Sequence, residues 1–199
     1  MPKSHPDYTK LTGILSQVAE GLKQWQDTES GVWYQLLQYD DSFVGKCGTK
    51  NYLEASASCM FTYSYLKGLR LGLLDESYRP VAEKAYNGVI KTFVTENEDK
   101  TLNLNWSCRS AGLGPKKSPQ RDGSASYYLC GGDVTIVSNE GKSIGPCIMA
   151  SLEWERIYGG DEPVVPEEPQ EPETPEVPDE PEEPSEPGVF EYKEFATDM

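Results

Sequence analysis

Proline stands at every third position from 163 to 187, nine times without a break. Proline has no backbone N–H and a fixed φ, so such a run can enter neither a helix interior nor a central strand. Its period matches the three residues per turn of polyproline II, which lines the prolines along one edge. The rest of the segment carries 12 of the chain's 33 acidic residues and none of its 18 Lys and Arg. At ~3.1 Å per residue, residues 161–187 would reach roughly 80 Å. They read as a disordered, acidic proline-rich linker. Docking of this segment in an SH3-type groove is the sharper alternative. Residues 188–199 hold Phe190, Tyr192 and Phe195, too few aromatics for a core. They read as a docking peptide, a strand stub or the start of a further module. Any packed domain must therefore come from residues 1–160.

That segment is nearly neutral, at −1, because three more acids and one lysine fall in 188–199. A nucleic-acid surface needs clustered positive charge, and none is present. The single histidine, His5, argues against a His-rich metal site or a Ser-His-Asp triad; no metal site and no cofactor are expected. No apolar run reaches the ~20 residues of a membrane span. No apolar stretch follows the basic residue of Met1–Pro6, so no signal peptide is visible and the default compartment is the cytoplasm. Cys47, Cys59, Cys108, Cys130 and Cys147 are odd in number and never form CxxC, so they read as reduced thiols, with a zinc site as the weaker alternative.

Hydrophobic spacing predicts four helices. Leu11, Ile14, Val18, Leu22 and Trp25 mark the first, and a second runs from about Leu53 to Leu71. The second begins with small residues, Ala55-Ser56-Ala57-Ser58, which let a neighbouring backbone or a ligand approach. The third starts near Asp75 and carries Val81, Ala85, Val89 and Phe93. The last, about 143–158, carries Ile144, Ile148 and Leu152. Between the third and fourth lies a Gly-, Ser- and Pro-rich stretch, 105–133, and long loops within a domain are usually functional. The fold class is all-α, built from antiparallel helix hairpins.

Carboxylates and aromatics are the remaining chemical tools. Trp33, Tyr34, Tyr39, Trp106, Tyr127 and Tyr128 fall at helix ends or in loops, where aromatic faces suit the apolar faces of sugar rings. Glu54, Asp122, Asp133 and Glu153 lie near the small-residue or Gly-rich segments. Sugar hydrolysis commonly uses such carboxylates in pairs, one with a raised pKa. The commoner role of such carboxylates is a helix cap or a surface charge, and Asp122 also fits a turn.

Val32-Trp33-Tyr34-Gln35-Leu36-Leu37, Tyr52-Leu53-Glu54-Ala55-Ser56-Ala57-Ser58, Phe61 and Lys67-Gly68-Leu69-Arg70-Leu71-Gly72 resemble the unsaturated uronyl hydrolases, glycoside hydrolase families 88 and 105. The similarity continues through Pro80–Tyr86, Cys108, Ala111-Gly112-Leu113-Gly114, Arg121-Asp122-Gly123-Ser124, Gly145 and Ala150-Ser151, with the rhamnogalacturonyl hydrolases the nearest match. The resemblance implies six antiparallel helix pairs in a closed (α/α) toroid, of which residues 1–160 supply about half. It implies hydration of the double bond in a 4,5-unsaturated uronic acid at the end of an oligosaccharide, driven by a proton-donating aspartate. That aspartate and an Arg-Gly-Asn-Gly-Trp motif are expected upstream of Met1, so no catalytic residue is assigned in this chain. Substrate contacts are expected from Trp33, Tyr34, Gln35, Glu54, Ser56, Ser58, Arg121, Asp122, Gly123 and Tyr128. Where the family commonly has Tyr-Glu, this chain has Ala125 and Ser126. Half a ring leaves two apolar faces uncovered, so the expected partners are the missing half or a second copy. The alternative function is a non-catalytic glycan-binding or interaction module on an extended stalk.

Overall fold

The computed structural model of the protein describes residues 2–114 and 121–159. The linker and end-peptide expectations, residues 161–199, lie outside the described residues. Four long helices form: α1 (Tyr8–Gln24), α2 (Ala55–Arg70), α3 (Arg79–Phe93) and, after a one-turn helix α4 (Tyr127–Cys130), α5 (Gly141–Tyr158). A one-turn 3-10 segment at Glu76–Tyr78 leads into α3. Its entry is capped by the Asp75 carboxylate, which accepts from the Ser77 N–H at 2.9 Å.

The all-α expectation needs one amendment. The chain also forms two short antiparallel ribbons. In one, β1 (Val94–Glu96) pairs with β2 (Leu102–Leu104); in the other, β3 (Ser107–Cys108) pairs with β4 (Ile136–Val137). Most of the Gly-rich stretch lies between β3 and β4, so that ribbon gathers a long connection to a narrow base.

The long helices form two antiparallel layers. Helices α2 and α5 run side by side in one direction. Ser107, near the head of α2, bonds to Ser143 at the head of α5 at 2.6 Å, and Arg70 at the tail of α2 pairs with Glu153 near the tail of α5. Helix α3 runs the other way: Phe93 at its tail accepts from Asn105, while Glu83 near its head accepts from the Tyr158 hydroxyl at 2.7 Å. Helix α1 is also antiparallel to α2, its Leu22 carbonyl receiving the Trp33 indole N–H at 2.8 Å.

The small residues explain the close pairing of α2 with α5. Ala55, Ser58, Cys59 and Thr62 of α2 are buried, as are Ser143, Pro146 and Ala150 of α5. Gly88 of α3 serves a similar end, since a Cβ there would stand 2.2 Å from the Ser30 carbonyl oxygen. Large side chains fill the remaining centre. Trp33 stacks on Tyr65 and meets Phe61 edge-on at 5.3 Å. Full burial of such a side chain contributes about 1.5–3 kcal/mol.

The apolar stripes of the sequence do not all face inward. In α3 they do, with Val81, Ala85, Val89 and Phe93 buried. In α1 the stripe Leu11, Ile14, Val18 and Trp25 is exposed, beside an exposed Met60 of α2. In α5 the side chains of Ile148, Met149 and Leu152 are exposed, and the small and polar stripe faces α2 instead. The two outer helices thus each present an uncovered apolar face. Among the described residues no helix is long and apolar enough to cross a membrane.

Candidate functional site

The segment 32–54 and the long connection 105–137 meet at the head of α2. Glu54 is the joint. Its side chain caps α2 by accepting from the Ala57 N–H at 2.7 Å, and its other oxygen accepts from the Ser56 hydroxyl and the Cys108 N–H, each at 2.8 Å. Glu54 is 2% exposed. A carboxylate with three donors and almost no surface is a structural anchor. This corrects its assignment as a sugar contact.

Trp33 and Ser58 are corrected in the same way. Both are fully buried, and the Trp33 N–H donates to the Ser58 hydroxyl oxygen at 3.1 Å. They join the 32–37 segment to α2 and leave no face for a ligand. Ser56 is half-buried and spends its hydroxyl on Glu54. Tyr34 is half-buried and pairs through its backbone with Leu53. Gln35 bridges inward: its amide donates to the Tyr128 carbonyl at 3.2 Å and to the Cys108 thiol at 3.5 Å. Burial pushes that thiol above its ordinary pKa.

The other four candidates share one region. Arg121 forms an ion pair with Asp133. Asp122 is exposed and accepts from the Ser124 N–H at 2.9 Å. The Ser124 hydroxyl and N–H hold the Asp122 carboxyl below the usual carboxylate range. Gly123 has φ +74°, the left-handed region that glycine enters freely, and a Cβ there would stand 2.6 Å from Leu113. Tyr128 packs edge-on against Tyr127 at 5.0 Å. The Tyr127 hydroxyl accepts from the Gly112 N–H at 3.1 Å and donates to Asp133 at 3.4 Å, so it ties the Ala111–Gly114 motif to the same place.

Of these four candidates, Asp122 lines an open groove of about 320 Å³, together with Lys46, Ser124, Ser126, Tyr127 and Gly131, among others; Arg121, Gly123 and Tyr128 lie next to lining residues in sequence but are not part of the lining. Its mixed polar lining suits a hydroxylated ligand. One wall is stapled by a disulfide between Cys47 and Cys130, which overturns the reading of these two as reduced thiols. The Lys46 N–H donates to the Ser126 hydroxyl at 2.9 Å beside it. Cys59, Cys108 and Cys147 remain free. Sequence spacing gave no signal for this pairing, because the partners are 83 residues apart.

Comparison with known proteins decides the lineage. The model of the glycosyl hydrolase family 88 matches residues 1–158. The chain belongs to glycosyl hydrolase family 88. Two curated relatives, Protein Atu3128 of Agrobacterium fabrum and a 24.9 kDa protein in the picA locus of Rhizobium radiobacter, are each 34% identical to it over 147 residues. That match spans 72% of this chain and 55% of each relative. A family 105 glycoside hydrolase from Clostridium acetobutylicum (C. acetobutylicum ATCC 824) superposes with a TM-score of 0.68 at 44% identity, covering 78% of this chain and 40% of that structure. A possible family 105 member from Klebsiella pneumoniae superposes at 0.59 with 25% identity, covering 79% and 34%. The family 88 chain therefore spans about half the length of the curated relatives it matches, and less of the solved structures.

Proposed function

We propose that this chain forms one wall of the sugar cleft of an unsaturated uronyl hydrolase of the rhamnogalacturonyl type. It would act on 4,5-unsaturated oligosaccharides, with the proton-donating aspartate supplied by another segment. The family match over residues 1–158 carries this reading, together with the polar groove that Asp122 lines. A general acid at a double bond needs a carboxyl whose pKa is raised toward neutrality. Asp122, the exposed carboxylate of the groove, is shifted downward. Glu54 is enclosed and fully bonded. Asp122 is exposed and Glu54 has no free face, so the proton donor is assigned to another segment.

The uncovered faces support a divided cleft. The outer surfaces of α1 and α5 expose Leu11, Ile14 and Val18 on one side, and Ile148 and Leu152 on the other. Isolated apolar side chains on a surface are ordinary, but contiguous helix faces mark an interface. The occupant proposed is the remainder of the family fold, since 60% of the matched Clostridium structure lies outside the overlap.

The test is loss of the ultraviolet absorbance of the conjugated double bond in an unsaturated rhamnogalacturonan disaccharide. The purified chain alone is expected to show no turnover, and the chain co-expressed with an upstream half carrying the donor aspartate is expected to show it. Turnover by the chain alone would refute the division of labour. Saccharide binding without turnover in either preparation would establish a non-catalytic glycan-binding module instead.

A further inference from the structure

Trp106 is the bulkiest residue of the protein in a backbone state that favours glycine. Its φ is +64°. The other described non-glycine residues with positive φ are Lys100, at a hairpin turn, and Asn139. Asparagine visits this region readily, whereas a bulky residue there is a true outlier. Strain of this kind concentrates at ligand clamps and active sites.

The chain on both sides holds the strain in place. Before Trp106, the Asn105 N–H and amide both donate to the Phe93 carbonyl, at 2.9 and 3.2 Å. After it, Ser107 is buried against Ser143 and the Cys108 N–H is fixed on Glu54. The Trp106 carbonyl itself accepts from the Ala55 N–H at 3.0 Å. Glycine or asparagine would make all of these backbone bonds without the strain.

The indole gains little from packing in return. Trp106 is 46% exposed, and its closest aromatic neighbour is Tyr52, at 6.2 Å between ring centroids. Tyr52 is 7% exposed, and its hydroxyl lies against the Cys108 thiol. It packs with Leu36 and Leu129, the latter next to the stapled Cys130 on the groove wall. The strained tryptophan therefore stands at the head of α2, and buried Tyr52 beside it packs on Leu129, the neighbour of the groove-lining Cys130.

We infer that Trp106 is a saccharide-stacking residue, whose exposed indole face receives the apolar face of a pyranose ring in the bound oligosaccharide. The inference rests on the carbohydrate reading of the cleft and adds a contact residue to it. Stacking uses the C–H groups of one ring face and leaves the hydroxyls at the ring edge free, so Trp106 would supply affinity while the polar groove takes the hydroxyls.

The test pairs affinity with stability. An unsaturated rhamnogalacturonan disaccharide is titrated calorimetrically into the full chain, alone and with an upstream half whose donor aspartate is replaced by asparagine, so that the sugar is bound and not consumed. Trp106→Asn and Trp106→Phe are compared with the native protein, and each is melted. Trp106→Asn is expected to bind about tenfold more weakly while melting at the same or a higher temperature, because asparagine relieves the backbone. Trp106→Phe is expected to keep most of the affinity and gain no stability. Unchanged affinity in Trp106→Asn would overturn the inference and leave the carbohydrate reading standing. A lower melting temperature with unchanged affinity would make Trp106 a packing residue. Absence of binding by the native protein in both preparations would overturn the inference and the carbohydrate reading together.

Discussion

Breaking the Cys47–Cys130 disulfide should destabilise the domain by several kcal/mol. The link joins residues 83 apart in sequence, and the loop it closes contains both α2 and α3. Chain-entropy arguments assign a closed loop of that length about 4.5 kcal/mol, lost from the unfolded ensemble. Measured values run lower, typically about 2–4 kcal/mol. In the native state the damage is small, because the Lys46–Ser126 bond holds the same two segments together. At about 2–4 °C per kcal/mol for a domain of this size, the melting temperature should fall by roughly 5–15 °C. The assay is a thermal melt followed by circular dichroism, with and without reductant. The Cys47→Ser/Cys130→Ser double variant should melt where the reduced native protein melts, and reductant should not shift it further. Alkylation of the unfolded, unreduced chain should label three of the five cysteines. Five labelled thiols, or a double variant as stable as the oxidised protein, would refute the reasoning.

Three further outcomes are expected. Glu54→Ala should lower stability by about 1–3 kcal/mol, since it strands the Cys108 and Ala57 N–H groups, and a chemical melt reads this directly. Burial raises the pKa of Glu153, but the Arg70 hydrogen bond and the Arg70 and Arg156 charges outweigh it, and the carboxyl lies below its ordinary value. A depressed carboxyl contributes stability above its unfolded pKa and loses it as pH falls through the folded one, so acid titration of stability should flatten below the ordinary Glu range in Glu153→Gln. Val18→Glu, on the exposed face of α1, should leave the melting temperature of the chain within about 2 °C yet prevent it from taking up an upstream half.

The helices were legible because their apolar positions recur at 3 and 4. The site was less so, and α1 and α5 show why. Periodicity identifies an apolar face but not what lies against it. In α5 the residues that bury against α2 are Ser143, Pro146, Ala150 and Glu153, a stripe with no hydrophobic signature. The motif residues divided along the same line. Trp33, Glu54 and Ser58 lie in matched strings yet serve the core, because a family resemblance marks constraint without saying whether a ligand or a neighbouring helix imposes it. Asp122 fell on the groove, where turn chemistry and cleft coincide, and Gly123 shapes the turn beside it. The disulfide and the left-handed Trp106 left no trace in the sequence, since both depend on where distant backbone segments meet.

The central claim is that these helices are one sector of a larger fold whose remainder covers α1 and α5. The most direct measurement is the mass in solution, by light scattering, of the chain expressed with and without a polypeptide carrying the upstream helices of the family. The account predicts a one-to-one complex that persists through purification. A monodisperse monomer that ignores the upstream polypeptide would contradict it.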